Sequence, residues 1–299
     1  MTQLDRGRIT VRAPRFDHAD APEAWLDDDP GASRVVDALS LIFPEGERFF
    51  IRSVKHYASV FENDPELAAR VRGFIGQEGR HGHEHDRWNK LLAARGYPVE
   101  AFLARYRELA YERIESATPA HLRLATTVAL EHMTSTLAVV ALTTPVLDGA
   151  HPSARTLLSW HAVEEIEHRA VAFDVLSKVD PRLRTRALGF AIGTAMLGVF
   201  WSQAFAMLTA HANDGRTQPR RRFARHVRAT LPFLGQSVLE YFRRDFHPED
   251  HDLSELVAEG LRRAGIAPRP SELEGSPHEP VDDRADDRTR GDVLDRAVG

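Results

Sequence analysis

The feature that most constrains this chain is a glutamate and a histidine three residues apart on an apolar helix face, a pattern that occurs twice. In "FIGQEGRHGHEHDRWN", residues 74–89, a rotation of about 100° per residue brings Glu78, His81 and His85 within about 60° of one another, alongside Val71, Phe74 and Leu92. His83 and Glu84 point elsewhere. In "WHAVEEIEHRAVAFD", residues 160–174, His161, Glu165 and His168 share a face with Leu157, Leu158, Ala172 and Val175. Glu164 lies at the edge of that face and Glu167 points away. A carboxylate taken out of water without a partner neutralises or is excluded. Neither face carries a lysine or arginine, so a divalent cation is the expected counter-charge.

The helix before each of these segments contributes one more glutamate on an apolar face. In "LIFPEGERFFIRSV" it is Glu47, flanked by Phe43, Phe50, Ile51 and Val54. In "LRLATTVALEHMTSTL" it is Glu131, flanked by Leu124, Val128 and Ala138. One Glu-x-x-His means little, because both residues are common on solvated helices. Two copies, each preceded by a single core glutamate, make a repeated unit. It is the donor set of ferritin-like dimetal-carboxylate bundles, in which two helices give one Glu each and two give Glu-x-x-His. The expected ligands are Glu47, Glu78, His81, Glu131, Glu165 and His168, holding two divalent ions, with Fe favoured and Mn or Zn as alternatives. A buried salt-bridge network without metal is the competing reading.

The expected fold is all-α: a ferritin-like four-helix bundle with additional C-terminal helices. Residues 1–30 read as an irregular arm with one short strand at "ITVRA", and 31–180 as the bundle. Its helices are expected at 33–62, 65–95, 120–147 and 152–178, with a shorter one at 98–115. Residues 181–267 read as an apolar helix and C-terminal helices packed on the bundle, and 268–299 as a disordered tail rich in Pro, Asp and Arg. The segment 187–210 carries no charge and is long enough to span a bilayer. It is rich in Ala and Gly, with "GFAIG" at Gly189 and Gly193, which fits a helix buried against the bundle or in a homodimer interface. Membrane contact, aided by the basic run "RTQPRRRFARHVR", is the alternative.

Composition narrows the function classes. The net charge of -5 is mild and mixed along the chain, so nucleic acid is not an expected partner. Cysteine is absent, which removes disulfides, thiolate catalysis and iron–sulfur ligation and leaves only nitrogen and oxygen donors for a metal. The charged N-terminus does not read as a secretory signal, and a bacterial cytoplasmic setting, with membrane association as a variant, is expected.

The stretches "FPEGERFFIRSVKHY", "DPELAARVRGFIGQEGRHGHEHDRWN", "ALEHMTSTLA", "WHAVEEIEHRAVAFDV" and "FHPEDHDL" resemble the bacterial predicted metal-dependent hydrolases, a ferritin-like group. The resemblance runs from about residue 8 to 256 and implies the same six metal ligands. His85, His161, Glu164 and His132 are further candidates, as extra ligands, hydrogen-bond partners of ligands or proton shuttles, against the plain alternative of core histidines. His132 lies about 100° from Glu131 and is the weakest of them. Thr127, Thr134 and Ser135 flank Glu131, Tyr57 is a remote radical candidate, and His247 and His251 are expected to dock the C-terminal helix. Four carboxylates and two imidazoles suit O2 activation by two divalent ions, with oxidation of a small, hydrophobic substrate as the expected reaction. Hydrolysis by a metal-bridging hydroxide is the alternative, and iron storage or a metal-binding scaffold the third. The preference for oxidation rests on glutamates where hydrolytic dimetal sites commonly use aspartates.

Overall fold

A computed structural model describes residues 9–212, 215 and 218–266. Among these the chain is all-helical: α1 (Pro30–Lys55), α2 (Ala58–Phe61), α3 (Pro65–Ala94), α4 (Val99–Arg107), α5 (Ala120–Thr143), α6 (Pro152–His168), α7 (Val171–Val179), α8 (Leu183–Ala210), α9 (Arg221–Tyr241) and α10 (Ser254–Arg263). The expected disordered tail, 268–299, lies outside the described residues.

The long helices begin where their sequences say they should. Asp29 caps α1, its carboxylate accepting from the Gly31 N–H at 3.0 Å, with Pro30 pre-set in the first turn. Asp64 and Pro65 do the same for α3, with Leu67 as donor at 3.1 Å. Two expected helices are instead divided. The 33–62 segment turns at His56 and Tyr57 before α2, and the 152–178 segment breaks at Arg169 and Ala170, directly after His168. At that break the Arg169 guanidinium donates to the carbonyls of Pro248 (2.8 Å) and His251 (3.0 Å), tying the C-terminal segment to the end of α6. The expected strand at "ITVRA" is also not formed. Residues 9–13 are extended coil, held in part by Gln77 Nε2, which donates to the Thr10 carbonyl at 2.9 Å. The expected helix at 98–115 is present, α4 continuing through a wider turn over Glu108–Glu115.

α1 packs against α3, α5 against α6 and α7, and α3 also meets α6 and α7, so the four glutamate-bearing helices enclose one interior. α8 lies along α5 and α1, and α10 covers α6. Missing side chains permit the closest approaches. A β-carbon at Gly73 or Gly76 of α3 would stand 2.5 Å from Ile9 or Val11, so these two glycines admit the N-terminal arm. The "GFAIG" motif is used within the chain, because a β-carbon at Gly189 would strike the Ala125 backbone of α5.

α5 and α8 are both long and apolar enough to cross a membrane. The apolar window of α5 is 72% buried and that of α8 22%. Of the expected burial, against the bundle or in a homodimer interface, the bundle covers only one side of α8. Phe200, Ala204 and Leu208 are in the core, while Leu188 and Val199 are exposed.

Two substitutions on α8 test this packing. Gly189→Ala places a methyl into the α5 backbone and is expected to cost about 1–3 kcal/mol. Gly198→Ala meets open space and is expected to stabilise the helix by about 0.5–1 kcal/mol. Chemical denaturation of the two variants beside the wild type reads both signs, and equal effects would show that α8 does not pack through Gly189.

Candidate metal centre

The repeated sequence unit converges in space. Glu47 comes from α1, Glu78 and His81 from α3, Glu131 from α5, and Glu165 and His168 from α6, and none is more than 3% exposed. Three groups of donor atoms each fall within 4.8 Å: Glu47, His81 and His161; Glu78, His81 and Glu165; and Glu78, Glu131 and His168. Local sequence prepares this convergence. Gly82, one turn along from Glu78 on α3, leaves room for Glu47, whose Oε2 would be 3.0 Å from a β-carbon at position 82.

Hydrogen bonds decide which imidazole nitrogens face the centre. His168 Nδ1 donates to Gln77 Oε1 at 3.0 Å, leaving Nε2 3.1 Å from Glu78, 3.3 Å from Glu131 and 3.5 Å from Glu165. His81 is held the other way round. Its Nε2 meets Glu164 Oε2 at 3.1 Å, and Nδ1 is turned inward, 3.6 Å from Glu165. Both orientations trace back to one arginine in the N-terminal arm. Arg12 donates twice to Glu167, at 2.7 Å each, and reaches Glu164 Oε1 at 3.4 Å. Glu167 in turn accepts from Gln77 Nε2 at 2.8 Å, which fixes the amide with its oxygen towards His168. Arg12 thus steadies His81 through Glu164, and His168 through Glu167 and Gln77, the arrangement by which outer partners orient metal-binding histidines.

The electrostatics of this interior are unbalanced. Burial, and then the Glu165 carboxylate, hold Glu47 well above the usual carboxylate range, and burial with Glu131 does the same to Glu78. Burial raises Glu131 to about 7. Glu165 goes the other way: burial would raise it, but His168 and His161 outweigh that and hold it well below its ordinary value. Burial likewise opposes protonation of His168, yet Glu131 and Glu165 raise its pKa well above 6.5. Burial, assisted by His161, keeps His81 and His85 neutral. Without a metal the cluster is therefore held by protons on its carboxylates and one imidazolium. Seven carboxylate oxygens of Glu47, Glu78, Glu131 and Glu165, with His81 Nδ1 and His168 Nε2, have no hydrogen-bond partner among the described residues. Buried oxygen and nitrogen donors left unpaired in one place are what a hard or borderline divalent cation requires.

The other candidates divide. His161 Nε2 lies 2.9 Å from Glu165, and its Nδ1 is 2.6 Å from His85 Nε2, while His85 Nδ1 is 2.7 Å from Ser40 Oγ. His161 thus belongs to a donor group, and His85 stands behind it. His132 points away, to the Ser237 carbonyl of α9 at 3.0 Å, as its rotation from Glu131 implies. Thr127 bonds Ser53 across to α1, and Thr134 and Ser135 bond back into their own helix. Tyr57 stands at the start of α2 without a side-chain capping bond, whereas His247 meets Asp174 and His251 meets Glu240. Glu167 does face away from the centre, but it is not idle. Arg12 and Gln77 escaped the sequence reading because one sits in an apparently irregular arm and the other a full 100° from Glu78. The only local signal was an arginine within the apolar run "ITVRAPRF".

A cavity of about 600 Å³, its mouth included, opens beside Glu47. α1, α4 with its continuation, α5 and α8 wall it, with Phe43, Phe50, Leu130, Met196 and Phe200 in the lining. Phe43 also packs on the His85 and His161 rings, with centroids 4.9 and 4.8 Å away, so the cavity wall and the donor group share a side chain.

Over residues 10–252 the chain matches the model of a family described as predicted metal-dependent hydrolase. No curated protein and no solved structure matches it. The family match corrects the expected reaction, since it describes a hydrolase and nothing beside it supports O2 activation. The oxidative expectation rested on which carboxylates such folds commonly use, and one fold hosts many reactions. With most of its length matched and buried groups of Glu and His suited to a divalent metal, the chain belongs to the predicted metal-dependent hydrolase family.

Proposed function

We propose that this protein hydrolyses a small-molecule substrate with two divalent ions held between α1, α3, α5 and α6 in a ferritin-like four-helix arrangement. Glu47, His81 and His161 would hold one ion and Glu131 and His168 the other, with Glu78 and Glu165 available as donors to both. The observation that carries the reading is the Glu47, His81 and His161 group beside the cavity. Two imidazoles and one carboxylate are a donor set of catalytic hydrolytic zinc sites, which keep a further position open for water. Zn2+ or Mn2+ suits these donors. Ions bound there would supply Lewis acidity and lower the pKa of a bound water towards neutrality.

The chain's own residues orient, exclude water and manage protons. In this reading the His161 Nδ1–H donates to His85 Nε2 and the His85 Nδ1–H donates to Ser40, which would leave His161 Nε2 to hold the ion. That chain fixes the His161 tautomer as Gln77 fixes that of His168. Phe43 closes the interior against bulk water on the cavity side. Of the four carboxylates, Glu47 reaches the cavity wall, so it is placed to accept a proton from an attacking water or return one to the leaving group.

Metal dependence tests the reading directly. Stripping with a chelator is expected to abolish ester or amide hydrolysis, and Zn2+ or Mn2+ to restore it, with two ions per chain by elemental analysis. Activity that survives stripping, or His161→Ala with undiminished turnover, would overturn the assignment. The protonated carboxylates and the His168 imidazolium must lose protons for metal to bind, so affinity falls as pH falls below about 7. Titration calorimetry at pH 6 and pH 8 is expected to show binding at least about tenfold weaker at the lower pH, with proton release on loading. The Arg12 network gives a third prediction. Glu165→Ala is expected to remove tight metal binding, whereas Arg12→Gln and Glu167→Ala are expected to weaken it about 10- to 100-fold while the fold is kept. Wild-type affinity in both milder variants would show that Arg12 orients nothing.

A further inference from the structure

The cavity beside Glu47 has a composition that selects its ligand. Its walls are phenylalanine, leucine, isoleucine and methionine, and no lysine, arginine or histidine is among the described lining residues. Of the two tyrosines in the lining, Tyr111 is committed, donating to the Glu45 carbonyl at 2.6 Å and to Glu45 Oε2 at 2.7 Å. Thr134 donates back to Glu131 at 3.2 Å. Beside the Tyr106 hydroxyl, the lining holds Glu47, 3% exposed, with neither oxygen hydrogen-bonded. A buried, unpartnered carboxylate at the end of an apolar cavity marks where the polar part of a ligand ends.

From these observations, and resting on the hydrolase reading above, we infer that the cavity takes the apolar acyl chain of a neutral carboxylic ester, with the ester carbonyl at the Glu47 end. A phosphoester or an anionic substrate finds no lysine, arginine or histidine in the lining to pair with its charge. An ammonium-bearing substrate would have to leave water for a wall of aromatic and aliphatic carbon. The step balances simply. The oxygen of water bonds to the carbonyl carbon, the bond from that carbon to the alkoxy oxygen breaks, the alcohol leaves with one of the water's protons, and a carboxylate and the other proton remain. Burying each methylene of the acyl chain favours binding by about fourfold until the cavity is filled.

Gly46 offers a way to fill the cavity without disturbing the fold. It lines the cavity, and a β-carbon there meets nothing within 4 Å. Gly46→Leu therefore occupies acyl space and also improves helix propensity in α1.

The test measures kcat/KM of the zinc-loaded protein on p-nitrophenyl acetate, butyrate, hexanoate and octanoate. In parallel, the metal-free protein is titrated calorimetrically with 2-decanone, decanoate and decylamine. The expected result is kcat/KM rising with acyl length in the wild type. Gly46→Leu should lower the octanoate-to-acetate ratio at least about tenfold at unchanged metal content, and the neutral ketone alone should bind the metal-free protein. Hydrolysis that is indifferent to chain length, or a ratio unmoved by Gly46→Leu, overturns the inference and leaves the hydrolase reading standing. Failure of the metal-loaded protein to cleave any of the four esters while it still binds 2-decanone overturns the hydrolase reading instead. Preference of the metal-free protein for decanoate or decylamine rejects a neutral ligand.

Discussion

Four carboxylates share one buried interior in this protein, and the rest of the structure is arranged around the cost of putting them there. Glu47, Glu78, Glu131 and Glu165 are each almost wholly removed from water. A buried carboxylate is tolerated when it is protonated, paired or bound to a cation. Here three of the four are driven towards the protonated form and the fourth is held ionised by histidine. The interior is therefore poised between two occupants, protons and metal, which compete for the same oxygens.

The same constraint explains the surroundings. Small residues appear where helices must come close enough to point their glutamates at a common centre, as Gly82 does for Glu47. The outer hydrogen bonds leave His168 Nε2 and His81 Nδ1 turned inward, although the two rings present opposite nitrogens. Immediately beyond Glu47 the walls become hydrocarbon, and Phe43 forms the boundary by packing against histidines on one side and lining the cavity on the other.

Much of this was legible in the sequence because helical periodicity turns spacing into direction. The convergence of Glu47, Glu78, His81, Glu131, Glu165 and His168 follows from apolar faces that repeat with the helix, and the all-helical class follows from the same periodicity. What was not legible depends on contacts between segments distant in the chain. Arg12 is the clearest case: nothing within its own extended segment says that it will meet Glu164 and Glu167. The break after His168 was also hidden, because it is accompanied by Arg169 contacts to carbonyls in a segment some eighty residues later. The reaction was misread for a different reason. Donor types restrict the metal, but they do not by themselves choose between its possible chemistries.

The N-terminal arm gives the fold an order of assembly. Arg12 precedes every described helix in the chain, yet its partners on α6 lie 152 and 155 positions later. Contacts of such separation close late, after local helices and hairpins have formed. The early helices can pair while synthesis continues, but the histidine-orienting frame is completed only when α6 has emerged and the arm has settled over Gly73 and Gly76. Until then the nascent chain holds only part of its donor set, so full metal capture belongs to the end of folding and not to its beginning.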